Sequence, residues 1–342
     1  MTVITFRENH ALHASRGHPE RPARLEAVRD ALAADPTLRD LRRLTGAPAS
    51  REALERVHPP AYLDRLTAAC RGGGGSFDVD TYATPHSLQI ASETCGDLLA
   101  IMDAVCTGEA SNGFTISRPP GHHASPERAM GFCLLSTAAI AAKHAQSAHG
   151  LRRVLVLDMD VHHGNGTQDA LYADPSAMFV SSHQTGLFPG TGAIDEIGAG
   201  AGEGFTANLP VPAGTDDAGM LAVYESVLVP LADRFEPELV IVSAGYDAHR
   251  LDPLGGLALS VAGMTDLVRV ARRIAERHAA GRIVLTLEGG YNPEVLAHSV
   301  VSSLRVLLDA GAVPSDPFGP TRQRGPDLTD LIGRLRRRHR LG

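Results

Sequence analysis

Aspartates and histidines cluster in this chain at spacings that suit a metal ion. In Asp158-Met-Asp-Val-His-His-Gly-Asn165 the residues Asp158, Asp160 and His162 alternate. On an extended backbone all three side chains fall on one side. Asp247, in Ser243-Ala-Gly-Tyr-Asp247, ends a second apolar run and adds another carboxylate. Asp160, His162 and Asp247 then offer three protein ligands and leave a position for water, the layout of a catalytic rather than a structural zinc site. Such donors accept Zn2+ and Fe2+ alike. One aspartate at a strand end reads as a cap or an ion-pair partner. A whole set this polar does not.

A water activated in this way needs a base. His122 and His123 follow Arg118-Pro-Pro-Gly121. The prolines stiffen the backbone and Gly121 permits a close turn, so two imidazoles can aim at one point. Histidine titrates near neutrality and suits general acid–base work. Asp158 and Asn165 are candidates to sit behind the rings and set their tautomers. Tyr291, in Glu288-Gly-Gly-Tyr-Asn292, can turn a hydroxyl towards a carbonyl. Taken alone, a tyrosine after glycines reads as packing.

These residues need a frame, and the chain supplies one. Each polar group follows a short apolar run. The runs predict strands at Val3–Phe6, Gly113–Ser117, Arg153–Leu157, Ala177–Val180, Leu239–Ser243 and Ile283–Leu287. Val154-Leu-Val-Leu157 and Leu239-Val-Ile-Val242 are apolar on both faces, as in a sheet covered on both sides. Helical periodicity falls at 86–106, 131–149, 216–234, 260–279 and 293–308, with Asp216 and Ser260 as N-caps. The alternation predicts an α/β fold, a single-domain open parallel sheet with helices on both faces. In such a sheet ligands bind at the carboxyl ends of the strands, where the polar clusters lie. His183 belongs to this set by position.

Composition narrows the function classes. The 342 residues carry 32 Lys and Arg against 39 Asp and Glu, a net charge of −7, which disfavours a nucleic-acid partner. No apolar run is long enough to span a membrane, and no secretory signal is visible, so no membrane partner is expected. Cys70, Cys95, Cys106 and Cys133 form no Cys-x-x-Cys pair and read as reduced thiols, which points to the cytoplasm. Lys143 is the only lysine. Residues 1–310 read as one catalytic domain. Residues 311–342 form a Pro- and Arg-rich tail in which Leu328, Leu331, Ile332 and Leu335 are helically spaced, as in a docking helix. A homo-oligomer is compatible with this composition.

Seven motifs occur in order: Arg118-Pro-Pro-Gly-His-His-Ala124, Gly131-Phe-Cys133, Asp158-Met-Asp-Val-His-His-Gly-Asn-Gly-Thr-Gln168, Phe188-Pro-Gly-Thr-Gly192, Ser243-Ala-Gly-Tyr-Asp-Ala248, Asp252-Pro-Leu-Gly-Gly256 and Leu287-Glu-Gly-Gly-Tyr-Asn292. With them the chain resembles the zinc-dependent histone deacetylase family, most of all its bacterial class II-like members, the histone deacetylase-like amidohydrolases. The resemblance runs from His18-Pro-Glu-Arg-Pro-Ala-Arg24 to about residue 308. It implies the arginase/deacetylase fold, with Asp160, His162 and Asp247 as zinc ligands. It implies His123 as general base and acid, His122 as its electrostatic partner and Tyr291 as the transition-state tyrosine. Phe132 and Phe188, with Gly131 and Leu254, correspond to the acyl-lysine tunnel. Asp158, Asp160, His162, Ser181 and Ser182 match a structural K+ or Na+ site, and Arg24 an arginine behind the centre. Leu134-Leu-Ser-Thr137, Leu251 and Leu187 depart from the family pattern, and are expected to affect the tunnel surroundings and rim.

The resemblance implies a deacylase acting on an acyl-lysine peptide or another acylated amine. Acetylpolyamine hydrolases resemble the chain too, but carry a long insertion before the strand at 113–117. Here that region holds only Gly72–Gly75 and Ser76–Thr84. Asp80 aligns with a rim position able to accept a hydrogen bond from a substrate N–H; it reads equally well as a solvated loop residue. A binuclear manganese ureohydrolase would need more carboxylates, yet Asp247 is followed by Ala248, His249 and Arg250. A non-catalytic binding module would have lost a ligand, His123 or Tyr291, and all are present.

Overall fold

The computed structural model describes every residue except 315, 322 and 323. Eight strands form one sheet: β1 (Thr2–Phe6), β2 (Arg42–Arg43), β5 (Asn112–Ile116), β6 (Val154–Asp158), β7 (Ala177–Gln184), β8 (Thr206–Val211), β9 (Leu239–Ala244) and β10 (Ile283–Leu287). A separate two-stranded hairpin pairs β3 (Gly75–Ser76) with β4 (Tyr82–Ala83). The order in the large sheet is β2-β1-β5-β10-β9-β6-β7-β8, and every pair is parallel. The helices are α1 (Ala23–Ala34), α2 (Arg51–Glu55), α3 (Pro60–Arg71), α4 (Ser87–Cys106), α5 (Thr137–His149), α6 (Asn165–Leu171), α7 (Asp217–Val223), α8 (Val229–Phe235), α9 (Val261–His278), α10 (Pro293–Leu308) and α11 (Thr329–Arg338).

Alternation along the strands builds two cores. Leu155, Leu157, Val240 and Val242 pack into one, beneath α1, α9 and α10. Val154, Val156, Leu239 and Ile241 pack into the other, beneath α4 and α5. Both faces of the central strands are therefore dry, which explains the continuous apolar runs. Asp216 caps α7 through Gly219 N (2.9 Å) and Ser260 caps α9 through Gly263 N (3.0 Å). Among the described residues no helix is long and apolar enough to cross a membrane.

Several elements differ from the periodicity reading. The strand expected at 177–180 continues to Gln184, so Ser181, Ser182 and His183 lie within β7. Thr206–Val211 is a strand despite Pro210; it is the sheet edge, where a missing N–H is tolerated. The helix expected from 131 starts at Thr137, because a Met130–Cys133 bridge shapes the preceding loop. The helix expected over 216–234 is interrupted by a π turn at Tyr224–Leu228. Pro230 supplies the reason: it has no N–H to offer Ser226 O. That carbonyl instead accepts from Arg336 Nη1 of α11 (2.7 Å). Leu328 and Leu335 of the tail are buried in the larger core, so α11 lies against the body of the fold.

Candidate active site

The metal-ligating set comes together at the ends of β6 and β9. Asp160, His162 and Asp247 present their ligand atoms within 4.8 Å of one another. His162 Nδ1 lies 3.0 Å from Asp160 Oδ1 and 3.2 Å from Asp247 Oδ2. The backbone is not extended here; it bends after Asp158, which is a correction to the alternation argument. Asp158 consequently turns away from the cluster and accepts from His122 Nδ1 (3.0 Å).

Neighbouring amides hold the carboxylates. Gly289 N donates to Asp160 Oδ2 (2.8 Å) and Val161 N to Asp247 Oδ1 (2.9 Å). Gly245 and Gly289 make the space. A Cβ on Gly289 would stand 2.5 Å from Asp160 Oδ2 and closer still to Asp247 Oδ2, and one on Gly245 would collide with Asp160. Both aspartates are buried, and neither has an Arg or Lys partner among the described residues. Burial and the Asp160 charge push Asp247 up to about 7. Burial opposes a charge on His162, but hydrogen bonds to Asp160 and Asp247 outweigh it and push the imidazole up to about 10. Two buried carboxylates facing one imidazole call for a cation, and this O, O, N donor set fits a divalent transition ion.

The histidine pair lies above this cradle, its ring centroids 3.9 Å apart. Asn165 Nδ2 donates to His123 O (3.4 Å), which fixes the amide so that Oδ1 accepts from His123 Nδ1 (2.8 Å). His123 thus carries its proton on Nδ1 and keeps Nε2 as the basic lone pair. Burial and the adjacent His122 hold His123 well below the usual histidine range, so it is neutral. Burial also opposes charge on His122, but Asp158 and Asp160 outweigh it and hold that ring well above the usual range. The departing residues Leu134 and Leu135 are buried in the core under α3 and α4 rather than at the tunnel.

Glu288 is a positioning residue that sequence reasoning did not assign. It accepts from Gly121 N (2.6 Å) and His122 N (3.1 Å) with one oxygen and from Ser243 Oγ (3.0 Å) with the other. It therefore clamps the turn that carries both histidines. Its place directly after β10 was the available signal. Tyr291 is set from behind. Its N–H donates to Asp252 Oδ2 (2.6 Å), and Arg24 lies 4.9 Å from its ring centroid. Arg24 also donates to Gly290 O (2.7 Å) and Glu288 O (2.5 Å). Glu20, fully buried, pairs with Arg24 (3.0 Å) and, through both oxygens, with Arg118. Burial pushes the Tyr291 phenol well above its ordinary range, which keeps it a proton donor.

Aromatic rings frame the approach. Phe188, 42% exposed, meets His123 edge-on at 5.0 Å, and Phe132 meets Tyr291 at 5.7 Å. Gly131 has φ +54°; a Cβ there would stand 2.9 Å from Phe188 Cε1 and closer to the His123 ring. Phe132 has φ 69°, a left-handed conformation costly for a phenylalanine and found most often at functional sites. The β3–β4 hairpin holds it: Thr81 Oγ1 accepts from Phe132 N (3.0 Å), and His18 packs on the Phe132 ring while donating to Asp80 O (2.8 Å). Asp80 is exposed on that hairpin, Leu254 is half-buried and Leu251 is exposed. Asp158 pairs in register with Ser181, and Ser182 Oγ lies 2.8 Å from Tyr224 of the π turn. His183 turns elsewhere, towards His163 and Gly192 O, and does not join the site.

An open, parallel α/β sheet with a buried Asp-His-Asp cradle and an oriented histidine pair at its carboxyl end describes a metal-dependent hydrolase. Residues 18–307 match the histone deacetylase domain, and the chain belongs to the histone deacetylase family. It is 42% identical over 325 residues to the chloroplastic histone deacetylase 14 of Arabidopsis thaliana, covering 90% of this chain and 77% of that one. It is 39% identical over 307 residues to the histone deacetylase-like amidohydrolase of Pseudomonas aeruginosa, covering 89% and 80%. Human polyamine deacetylase HDAC10 is 39% identical over 318 residues, covering 88% of this chain and 46% of that protein. The crystal structure of the HDA15 HD domain superposes with a TM-score of 0.85 at 35% identity, covering 92% of this chain and 90% of that one.

Proposed function

We propose that the protein is a deacylase that hydrolyses the side-chain amide of acyl-lysine in peptides, using one zinc or iron(II) ion per chain. The observation that carries this reading is the His123–Asn165 pair. It leaves a neutral imidazole with a free Nε2 beside the Asp160–His162–Asp247 cradle. A divalent ion held by those three residues supplies Lewis-acid polarisation of the carbonyl and an acidified water. His123 takes the water proton at Nε2 and returns it to the leaving amine. His122, tied to Asp158, stays cationic and supports the negative charge that develops on the substrate oxygen. Tyr291 donates its hydroxyl to that oxyanion. Phe132 and Phe188 sandwich the apolar methylenes of the lysine stem, with Gly131 and Leu254 completing the wall.

Asp80 accepts from a peptide N–H at the rim, and Asp158, Asp160, His162, Ser181 and Ser182 hold a structural K+ or Na+ behind the centre. The unpaired thiols favour the cytoplasm as the compartment. The competing substrate class is an acetylpolyamine, as the name of the human relative indicates. It carries a second ammonium, whereas the aromatic and leucine lips around this mouth favour an apolar stem.

The test compares acetyl-lysine peptides with acetylputrescine and acetylspermidine on the same metal-loaded enzyme, beside Tyr291→Phe. Peptides are expected to give the higher kcat/KM. Tyr291→Phe should lose about 2.7–4 kcal/mol of transition-state stabilisation, roughly 100- to 1,000-fold in kcat, with metal content unchanged. A preference for acetylpolyamines overturns the peptide assignment. Near-full activity of Tyr291→Phe removes that residue from the chemistry.

A further inference from the structure

The reaction described above uses only the carboxyl end of the sheet. At the amino end, a cavity of about 920 Å3 opens between the starts of β6, β7 and β8, the end of α8 and the turn after α11. Five arginines line it: Arg153, Arg234, Arg337, Arg338 and Arg340. Two of these are matched by carboxylates, Arg338 by Asp195 at 3.3 Å and Arg153 by Glu238 at 3.8 Å. Arg234, Arg337 and Arg340 have no carboxylate within 4.0 Å among the described residues, although Glu203 lies on the cavity wall. In a chain of net charge −7, three uncompensated guanidiniums around one hollow stand out. Holding like charges together costs energy that an anion would remove.

A buried histidine packs against the same cavity. His339, 5% exposed, lies on its wall, and its Nε2 is buried with no hydrogen-bond partner. Burial and the nearby Arg234 and Arg338 charges push this imidazole down to about 4, so it is neutral. The rest of the wall is apolar: Phe205 and Phe235 meet edge-on at 5.8 Å, beside Met178 and Ile197. The volume lies within the range of about 300–1,000 Å3 typical of small-molecule sites.

We propose that this cavity binds a nucleoside polyphosphate. Arg234, Arg337 and Arg340 take the phosphates, and Phe205 and Phe235 pack against the base. Arginine forks suit phosphate oxygens, and charge-assisted hydrogen bonds of this kind are stronger than neutral ones.

The test is calorimetric titration of the full-length, metal-loaded protein with ATP, adenosine and pyrophosphate. ATP is expected to bind one per chain and more tightly than either fragment. Arg337→Glu and Arg340→Glu should each weaken ATP about tenfold or more, with fold and deacylase activity retained, since both side chains are exposed. Undetectable ATP binding at millimolar concentration, or binding undiminished in both arginine variants, overturns the proposal. Binding that is lost instead in Asp160→Ala assigns ATP to the metal centre and overturns it too. Pyrophosphate as tight as ATP overturns the nucleoside assignment. A single-stranded oligonucleotide that outcompetes ATP and fails in the same variants replaces it with nucleic acid.

Discussion

Gly289→Ala tests the cradle by adding a single methyl group. The backbone at Gly289 is not left-handed, so alanine carries no conformational penalty there. The effect is steric. The new Cβ would sit 2.5 Å from Asp160 Oδ2 and 2.9 Å from Asp247 Cγ, where ordinary contacts need well over 3 Å. Both carboxylates, or the strand end itself, must shift by about half an ångström or more. Overpacking of this kind costs about 1–3 kcal/mol of stability. The amide that positions Asp160 Oδ2 moves with it, so metal affinity should fall roughly 10- to 100-fold, as when other supports of metal ligands are lost. The assay is zinc competition against a chromogenic chelator, with kcat/KM and urea melts measured in parallel. Gly311→Ala is the control, because its Cβ would meet Asp309 only at 3.5 Å. Metal affinity and kcat/KM of Gly289→Ala within twofold of the parent protein would refute the close-packed cradle.

Three further perturbations have definite expected outcomes. Asn165→Ala frees the His123 tautomer and should cut kcat roughly 10- to 100-fold while metal content and melting are unchanged; an unchanged kcat shows that the ring needs no orienting partner. Burial opposes ionisation of Glu20, but Arg118 and Arg24 outweigh it and hold the carboxyl at about 2 against 4.5 unperturbed. This depressed value contributes about 3 kcal/mol that is fully present above pH 4.5 and is lost as pH falls towards 2. Glu20→Gln should therefore destabilise the neutral protein and flatten the acid limb of its stability–pH profile, and a limb as steep as the parent's argues against the ion pair. Leu335→Ala should cost about 2–5 kcal/mol in urea unfolding, whereas an unshifted midpoint means that α11 does not dock.

The chemistry of this protein was legible in its sequence because the donor types are local. Asp160, His162, His122, His123 and Asn165 lie in two short segments, and apolar runs on both faces of 154–157 and 239–242 required a covered parallel sheet that brings Asp247 to the same end. Other features depend on contacts between residues far apart in the chain. The alternation argument put Asp158 on the same side as Asp160 and His162, but the chain bends after β6, and Asp158 sits behind His122, one of the two partners expected behind the rings. Glu288 reads as an ordinary polar residue, and Arg24 is placed behind the centre only by the family resemblance. Their roles arise only when β10 and α1 bring them under the histidine turn and behind Tyr291. Thr206–Val211 is not among the strands expected from the sequence; its place at the sheet edge is what tolerates Pro210. The sequence marks the tail as Arg-rich with a docking helix; only the fold, with Ser226 O freed by Pro230 and taken by Arg336, turns its arginines back over a cavity. Residue types and spacing are fixed along the chain and can be read there. Which buried group faces which depends on long-range packing, and that was decided by tertiary structure alone.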